Sequence, residues 1–367
     1  MSRAKAHPLL TRRYEDELRL FRTRWAKAWL AVLVVLWLAT PVFLADEFWL
    51  SVLNYAGIAA VGAIGLNLLT GYTGQVSLGQ AFFIGAGAYT AGQVGGELDL
   101  PLLIWLPAAG LFGALVGALI GPFALRLRGN YLAIVTLGLV FLGEHLFRNL
   151  ESVTGGNSGT SITASAAIGP FDFAGMSLFG DEYTLNQSWF WLIWGVVGVC
   201  ALLAKNIVRT RPGRAIQAIR DRDVAAEIIG VELGRYKVGA FALSSGLAAM
   251  GGALLGAYQQ FVSPDQFSLF LSIQYIAIII VGGVGTIFGA VLGALFLGGL
   301  PALIDEYSSS IPGVATSAGD DGFISVFSLN QAIFGLLIVL FLVFEPRGLA
   351  AMWLRAKAYF KAWPFSY

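Results

Sequence analysis

KNIVRTRPGRAIQAIRDRDVAAEIIGVELGRYK, residues 205–237, is a charged island in a chain that is otherwise almost all apolar. It holds eight of the 23 Lys and Arg residues. It is too polar to cross a bilayer and too short to be a domain. Around it, 57% of the residues are hydrophobic, only 12% are charged and the mean hydropathy is +0.74. A soluble domain carries about 25% charged residues. A chain of 367 residues with this composition needs the bilayer as its solvent. The net charge of +1 gives no basis for binding nucleic acid. Cys200 is the only cysteine, and His7 and His145 lie far apart, so neither a disulfide framework nor a metal site is expected.

Working outward from the island, apolar runs fall near 28–45, 49–70, 76–95, 101–123, 130–149, 188–204, 236–258, 268–283, 286–301 and 329–345. Ten spans follow, the third, eighth and ninth being short or rich in glycine. With the N-terminus inside, the inner segments hold 22 of the 23 basic residues and the outer side only Arg148. That is the positive-inside pattern, and an error of one span in the middle would destroy it. Glu144 stands four residues before Arg148, the favourable order for a helical ion pair. The expected fold is an all-α integral membrane protein of about ten transmembrane helices, some short or broken, with both termini cytoplasmic. It divides into a segment 1–27 that is a surface-lying amphipathic helix or a solvated tail, a transmembrane domain 28–350 and a cytosolic tail 351–367.

Two inner connections carry no charge: Gly71-Tyr72-Thr73-Gly74 and Gly282-Gly283-Val284-Gly285. Such turns are expected to fold back into the protein, because irregular backbone at membrane depth needs cover. Gly113, Gly117 and Gly121, and again Gly289 and Gly293, form ridges for close helix packing. The stretch from Asn67 to Gln93 places Asn67, Gln75, Ser77, Gln80, Tyr89 and Thr90 among small residues. These neutral polar groups either line a path for a small polar solute or make interhelical hydrogen bonds.

No catalytic constellation is present. There is no phosphate-binding G-x-x-x-x-G-K-[ST] loop, no Ser with a plausible His partner and no charge near a span centre. The last absence disfavours an ion-coupled secondary carrier, the rival from another class. In the island, Arg211-Pro212-Gly213 stops the sixth span. Asp221 and Asp223 suit the N-cap of a short helix ending at Ile229, and Gly230 suits its left-handed C-terminal cap. Ala225 and Ala226 give that helix a thin face, ringed by Arg214, Arg220, Arg222 and Glu227. The segment is a docking plug or an ordinary solvated loop.

The run Asp223-Val224-Ala225-Ala226-Glu227-Ile228-Ile229-Gly230 resembles the E-A-A-x-x-x-G loop of ABC importer permeases. The longer form from Gly213 resembles the branched-chain amino-acid permeases, the LivH/LivM family. GYTGQVSLGQAFFIGAGAY from Gly71, Thr154-Gly155-Gly156-Asn157-Ser158-Gly159 and Phe344-Glu345-Pro346-Arg347-Gly348-Leu349 resemble its LivM type. The resemblance covers about residues 50–350. Val224 stands where other importers carry the leading Glu, so that residue's role does not transfer. The resemblance implies a multi-pass subunit of a bacterial inner membrane that binds no cofactor and forms half of a pore. It implies a second, LivH-like permease, two ATPase subunits that bind the ATP, and an extracytoplasmic binding protein meeting the outer loops 151–187 and 302–328. It places Ala225, Ala226 and Gly230 on the surface that docks the ATPase, with Arg214, Asp221, Asp223 and Glu227 shaping it. The substrate it implies is a branched-chain amino acid, with urea, amides or other small organic solutes as the alternative.

Overall fold

The computed structural model describes residues 24–44, 46–124, 131–168, 171–173, 177–178, 181–308, 314–315 and 324–362. Most of the 1–27 segment, Arg126, Arg128 and parts of both large outer loops lie outside the described residues. The chain is an all-α multi-pass membrane protein. Its helices are α1 (Arg24–Phe43), α2 (Glu47–Leu66), α3 (Gln80–Ala91), α4 (Leu102–Ala124), α5 (Tyr131–Asn149), α6 (Leu185–Arg209), α7 (Arg211–Asp221), α8 (Asp223–Ile228), α9 (Leu233–Gln259), α10 (Leu269–Gly282), α11 (Ile287–Gly293), α12 (Leu300–Ser308), α13 (Val326–Phe344) and α14 (Gly348–Ala362). Each of the ten apolar runs holds a helix. Among the described residues seven segments are long and apolar enough to cross a membrane, with α11 and α12 counting as one, and the apolar stretches Lys27–Phe43 and Leu269–Gly282 are shorter, as is α3.

Local chemistry sets several helix starts. The Asp46 carboxylate accepts from the Phe48 amide at 3.0 Å ahead of α2. Thr184 and Gln187 form a capping box ahead of α6, and Thr286 accepts from the Gly289 amide at the start of α11. Wider π-helical turns extend α2 over Asn67–Gly71, α3 over Gly92–Glu97 and α11 over Ala294–Gly298.

The helix α9 forms the centre, packed against α2, α3 and α4. Small residues bring these axes together. A Cβ on Gly87 of α3 would stand 1.9 Å from the Ala249 carbonyl oxygen, and one on Gly252 of α9 would stand 1.9 Å from that of Ile84. The Gly113 and Gly117 ridge of α4 sits on Ala249 and Ser245 of α9, as packing predicts.

The connections sort to two ends. At one end the turns 71–74 and 282–285 meet each other, α7 and the start of α14. At the other, Arg148 pairs with Glu144 at 2.9 Å and with Asp265 at 2.7 Å. Thr160–Ser161 pairs antiparallel with Phe261–Val262 there, and Gln187 Nε2 donates to the Pro41 carbonyl at 2.8 Å. This grouping matches the one the charge alternation requires.

Candidate functional site

The charged island folds as two helices rather than one. Thr210 takes an extended backbone and ends α6, and Pro212 then sits in the first turn of α7. Proline stops one helix and suits the start of the next, where its missing N–H has no partner to lose. Gly213, Ile216 and Ile219 recur every three residues and turn inward, leaving Arg211 and Arg214 on the open side.

Arg222 takes the extended backbone between α7 and α8. The expected N-cap position therefore moves: Asp221 closes α7, and Asp223 is the first residue of α8, its Oδ1 accepting from the Val224 amide at 2.9 Å. The C-terminal cap stands as expected, with Gly230 at φ +90°. The Gly230 amide donates to the Glu227 carbonyl and the Val231 amide to that of Ala226, each at 3.0 Å, a Schellman closure.

The face that α8 presents differs from the expected one. Ala226 is only 2% exposed and packs inward, while Ala225, Glu227 and Gly230 are exposed. The apolar surface belongs to Val224, Ile228 and Ile229, which are 65%, 81% and 75% exposed. Packing against the rest of the chain fixes the rotation of so short a helix, and Ala226 is the residue small enough to sit underneath.

None of the six polar residues of the stretch 67–93 lines either of the two cavities described below. Asn67 Nδ2 donates to the Thr286 carbonyl at 2.8 Å, and its Oδ1 accepts from the Gly285 amide at 2.8 Å. Gln80 Nε2 donates to the Gly62 carbonyl at 2.9 Å, and Thr90 Oγ1 donates to the Ala86 carbonyl at 2.7 Å. Ser77 is buried and accepts from the Gly79 amide. Gln75 and Tyr89 are buried, and their side-chain polar atoms have no partner among the described residues. The Tyr89 ring lies against Phe147 and Phe267. Four of the six are thus engaged in structural hydrogen bonds.

Two cavities at the opposite end from α8 were missed by sequence reasoning. One, of about 520 Å³, lies between Ser51 and Tyr55 of α2, Asn186 of α6 and Tyr258 of α9. The other, of about 370 Å³, continues inward between α2, α9, α10, α12 and α13. Tyr55, Gln259 and Gln266 border both. The inner one adds Gln274, Tyr275 and Asp305 to an aliphatic wall that includes Ile58, Leu255 and Ile278. Gln259 Oε1 is buried and has no hydrogen-bond partner among the described residues. Tyr258 Oη donates to Asn186 Oδ1 at 2.8 Å, and Asn54 Nδ2 donates to the Asn186 carbonyl at 3.0 Å, fixing the rim.

The sequence comparisons identify the family of the chain. The family described as branched-chain amino acid transport system / permease component matches residues 48–342. The chain belongs to that family. It is 30% identical to the high-affinity branched-chain amino acid transport system permease protein LivM of Escherichia coli K12, over 89% of this chain and 75% of that one. It is 27% identical to the LivH permease protein of Salmonella typhimurium, over 68% of this chain and 83% of that one. The ribose import permease protein RbsC of Haemophilus influenzae is 24% identical over 74% and 81% respectively. No solved structure matches the chain. Within the family the chain is a permease of the LivM type, a transport component of the membrane.

Proposed function

We propose that this chain is one of two permease subunits of an ATP-driven importer for branched-chain amino acids in a bacterial inner membrane. A LivH-like permease supplies the other half of the path. Two ATPase subunits bind ATP and dock on the end that carries α7 and α8, which faces the cytosol. An extracytoplasmic binding protein delivers the solute to the outer loops 151–187 and 302–328. The chain itself performs no chemistry.

The observation that carries this reading is the pairing of two features on shared helices. One end presents the exposed aliphatic side chains of α8 inside a basic segment. The other opens into a cavity of about 370 Å³ whose wall mixes amide, phenol and aliphatic groups. A branched-chain amino acid has that composition: a charged end that takes hydrogen bonds and an apolar end that does not. The structural role of Asn67, Gln80 and Thr90 favours the cavity over the 67–93 stretch as this subunit's part of the path.

The test is uptake into proteoliposomes holding both permeases and both ATPases, with binding protein and ATP outside and inside respectively. Leucine, isoleucine and valine are expected to enter and to compete with one another, while urea and acetamide do neither. Uptake of urea or acetamide with no competition by leucine would replace the amino-acid reading with the small-amide one. Uptake driven by an ion gradient without ATPase subunits would overturn the importer itself.

A further inference from the structure

Arg220, on the last turn of α7, reaches across to the two glycine turns. Its Nη1 donates to the Gly71 carbonyl at 2.5 Å. Its stem covers Gly74, where an added Cβ would stand 3.3 Å from the Arg220 Cγ. Its guanidinium also lies against Gly285, where a Cβ would come within 2.8 Å of Nη1. Gly74 and Gly285 both have positive φ, at +72° and +82°, so a side chain there is strained as well as crowded.

Beneath the guanidinium, the Asn67 side chain joins the two turns by the two hydrogen bonds described above. Nothing larger than glycine fits at 71, because a Cβ there would stand 2.5 Å from the Gly285 amide nitrogen. Three segments distant in sequence therefore meet at one charged group. The Gly71 carbonyl belongs to the C-terminal turn extending α2, where carbonyls without helical partners favour a cation. Burial pushes the neighbouring Tyr72 phenol above its ordinary range, and its Ile287 backbone bond and the Arg220 charge oppose this only in part.

We infer that Arg220 is a positioning residue that clasps the α7–α8 unit to the paired glycine turns, so that movement of the docking helix is handed to α2, α10 and α11. Those elements reach the inner cavity through Tyr55, Ile278 and Leu297. Without the clasp, α7 and α8 remain docked on their ATPase but move independently of the cavity walls. This rests on the importer reading above and assigns that reading its mechanical link.

The experiment compares Arg220→Ala, Arg220→Lys and Asn67→Ala in the assembled importer in proteoliposomes. Basal ATP hydrolysis, its stimulation by leucine-loaded binding protein and leucine uptake per ATP are measured together. For Arg220→Ala, co-purification and basal hydrolysis within twofold of wild type are expected, with uptake per ATP at least tenfold lower. Arg220→Lys keeps a donor for the Gly71 carbonyl and is expected to restore at least a third of the coupling. The double variant with Asn67→Ala is expected to be no worse than the weaker single variant, because both break one device. Hydrogen exchange over 211–230 is expected to rise in Arg220→Ala. Unchanged uptake per ATP in Arg220→Ala, multiplicative losses in the double variant, or failure to assemble with no rescue by lysine would each overturn the clasp. Failure of the wild-type assembly to import under ATP would instead overturn the importer reading.

Discussion

Replacing Ile228 by Asp tests whether α8 is the ATPase contact. Val224, Ile228 and Ile229 are 65%, 81% and 75% exposed on a six-residue helix. Full burial of an aliphatic side chain is worth roughly 1.5–3 kcal/mol. Scaled by the exposed fractions, docking gains about 3–7 kcal/mol from the three together and about 1–2 kcal/mol from Ile228 alone. Aspartate at 228 removes that gain and desolvates a carboxylate without a partner, a further ~1–3 kcal/mol. The sum of about 2–5 kcal/mol weakens ATPase binding by roughly 30-fold to several-thousand-fold. The assay is titration of the ATPase subunits onto the detergent-solubilised permease pair, with uptake measured in parallel. The contrasting variant is Ala226→Asp, which buries its charge inside the chain and is expected to loosen α8 itself, visible as faster hydrogen exchange over 223–231. ATPase affinity within threefold of wild type for Ile228→Asp, with α8 still protected, would refute the docking assignment.

Two further outcomes follow from packing and charge. Gly87→Ala forces a Cβ into the Ala249 carbonyl, whereas Gly138→Ala on α5 meets nothing within 4 Å. The first is expected to lower stability by about 1–3 kcal/mol or more and the second to leave it unchanged, read by thermal unfolding in detergent. Asp265→Asn breaks an ion pair whose side chains are 42% and 73% exposed, so the expected loss is under about 1 kcal/mol. That loss should fall further when the unfolding is repeated at high salt.

The long helices were legible because a span needs about twenty apolar residues, and the long runs show this directly. The end of α6 was legible at Arg211-Pro212-Gly213, but α7 was not, since a proline read as a stop also serves as a start. Gly230 was legible because only a left-handed position asks for glycine there. The inward turn of Ala226 was not: a cap fixes where a helix ends, whereas its rotation depends on what it packs against. Asn67 was singled out as polar with a path and an interhelical bond both open, and its actual hydrogen bond was not legible because the partner Thr286 lies 219 residues away. The cavity was invisible for the same reason, being assembled from α2, α9, α10, α12 and α13, none of which looks unusual alone.

Asn67 and Gln259 differ in how their amides are engaged. A side chain whose hydrogen bonds are all made to backbone offers nothing to a passing solute, and Asn67 uses both ends of its amide that way. Gln259 borders both cavities, and its buried Oε1 makes no hydrogen bond among the described residues. Tyr55 of α2 borders the same cavities as Gln259 and stands twelve positions before Asn67, a rise of roughly 18 Å. A helix transmits displacement along such a distance only if its end is stiff. The π-helical turn at Asn67–Gly71 is the weak place, since its wider ring of hydrogen bonds is less regular. Two side chains brace it: Thr73 Oγ1 donates to the Leu68 carbonyl and Thr70 Oγ1 to that of Gln75, each at 3.0 Å. With those braces the Gly71 carbonyl moves with α2. A pull at Arg220 then reaches the wall of the cavity, where Ala59 of α2 lies against Gly298 of the α11 extension.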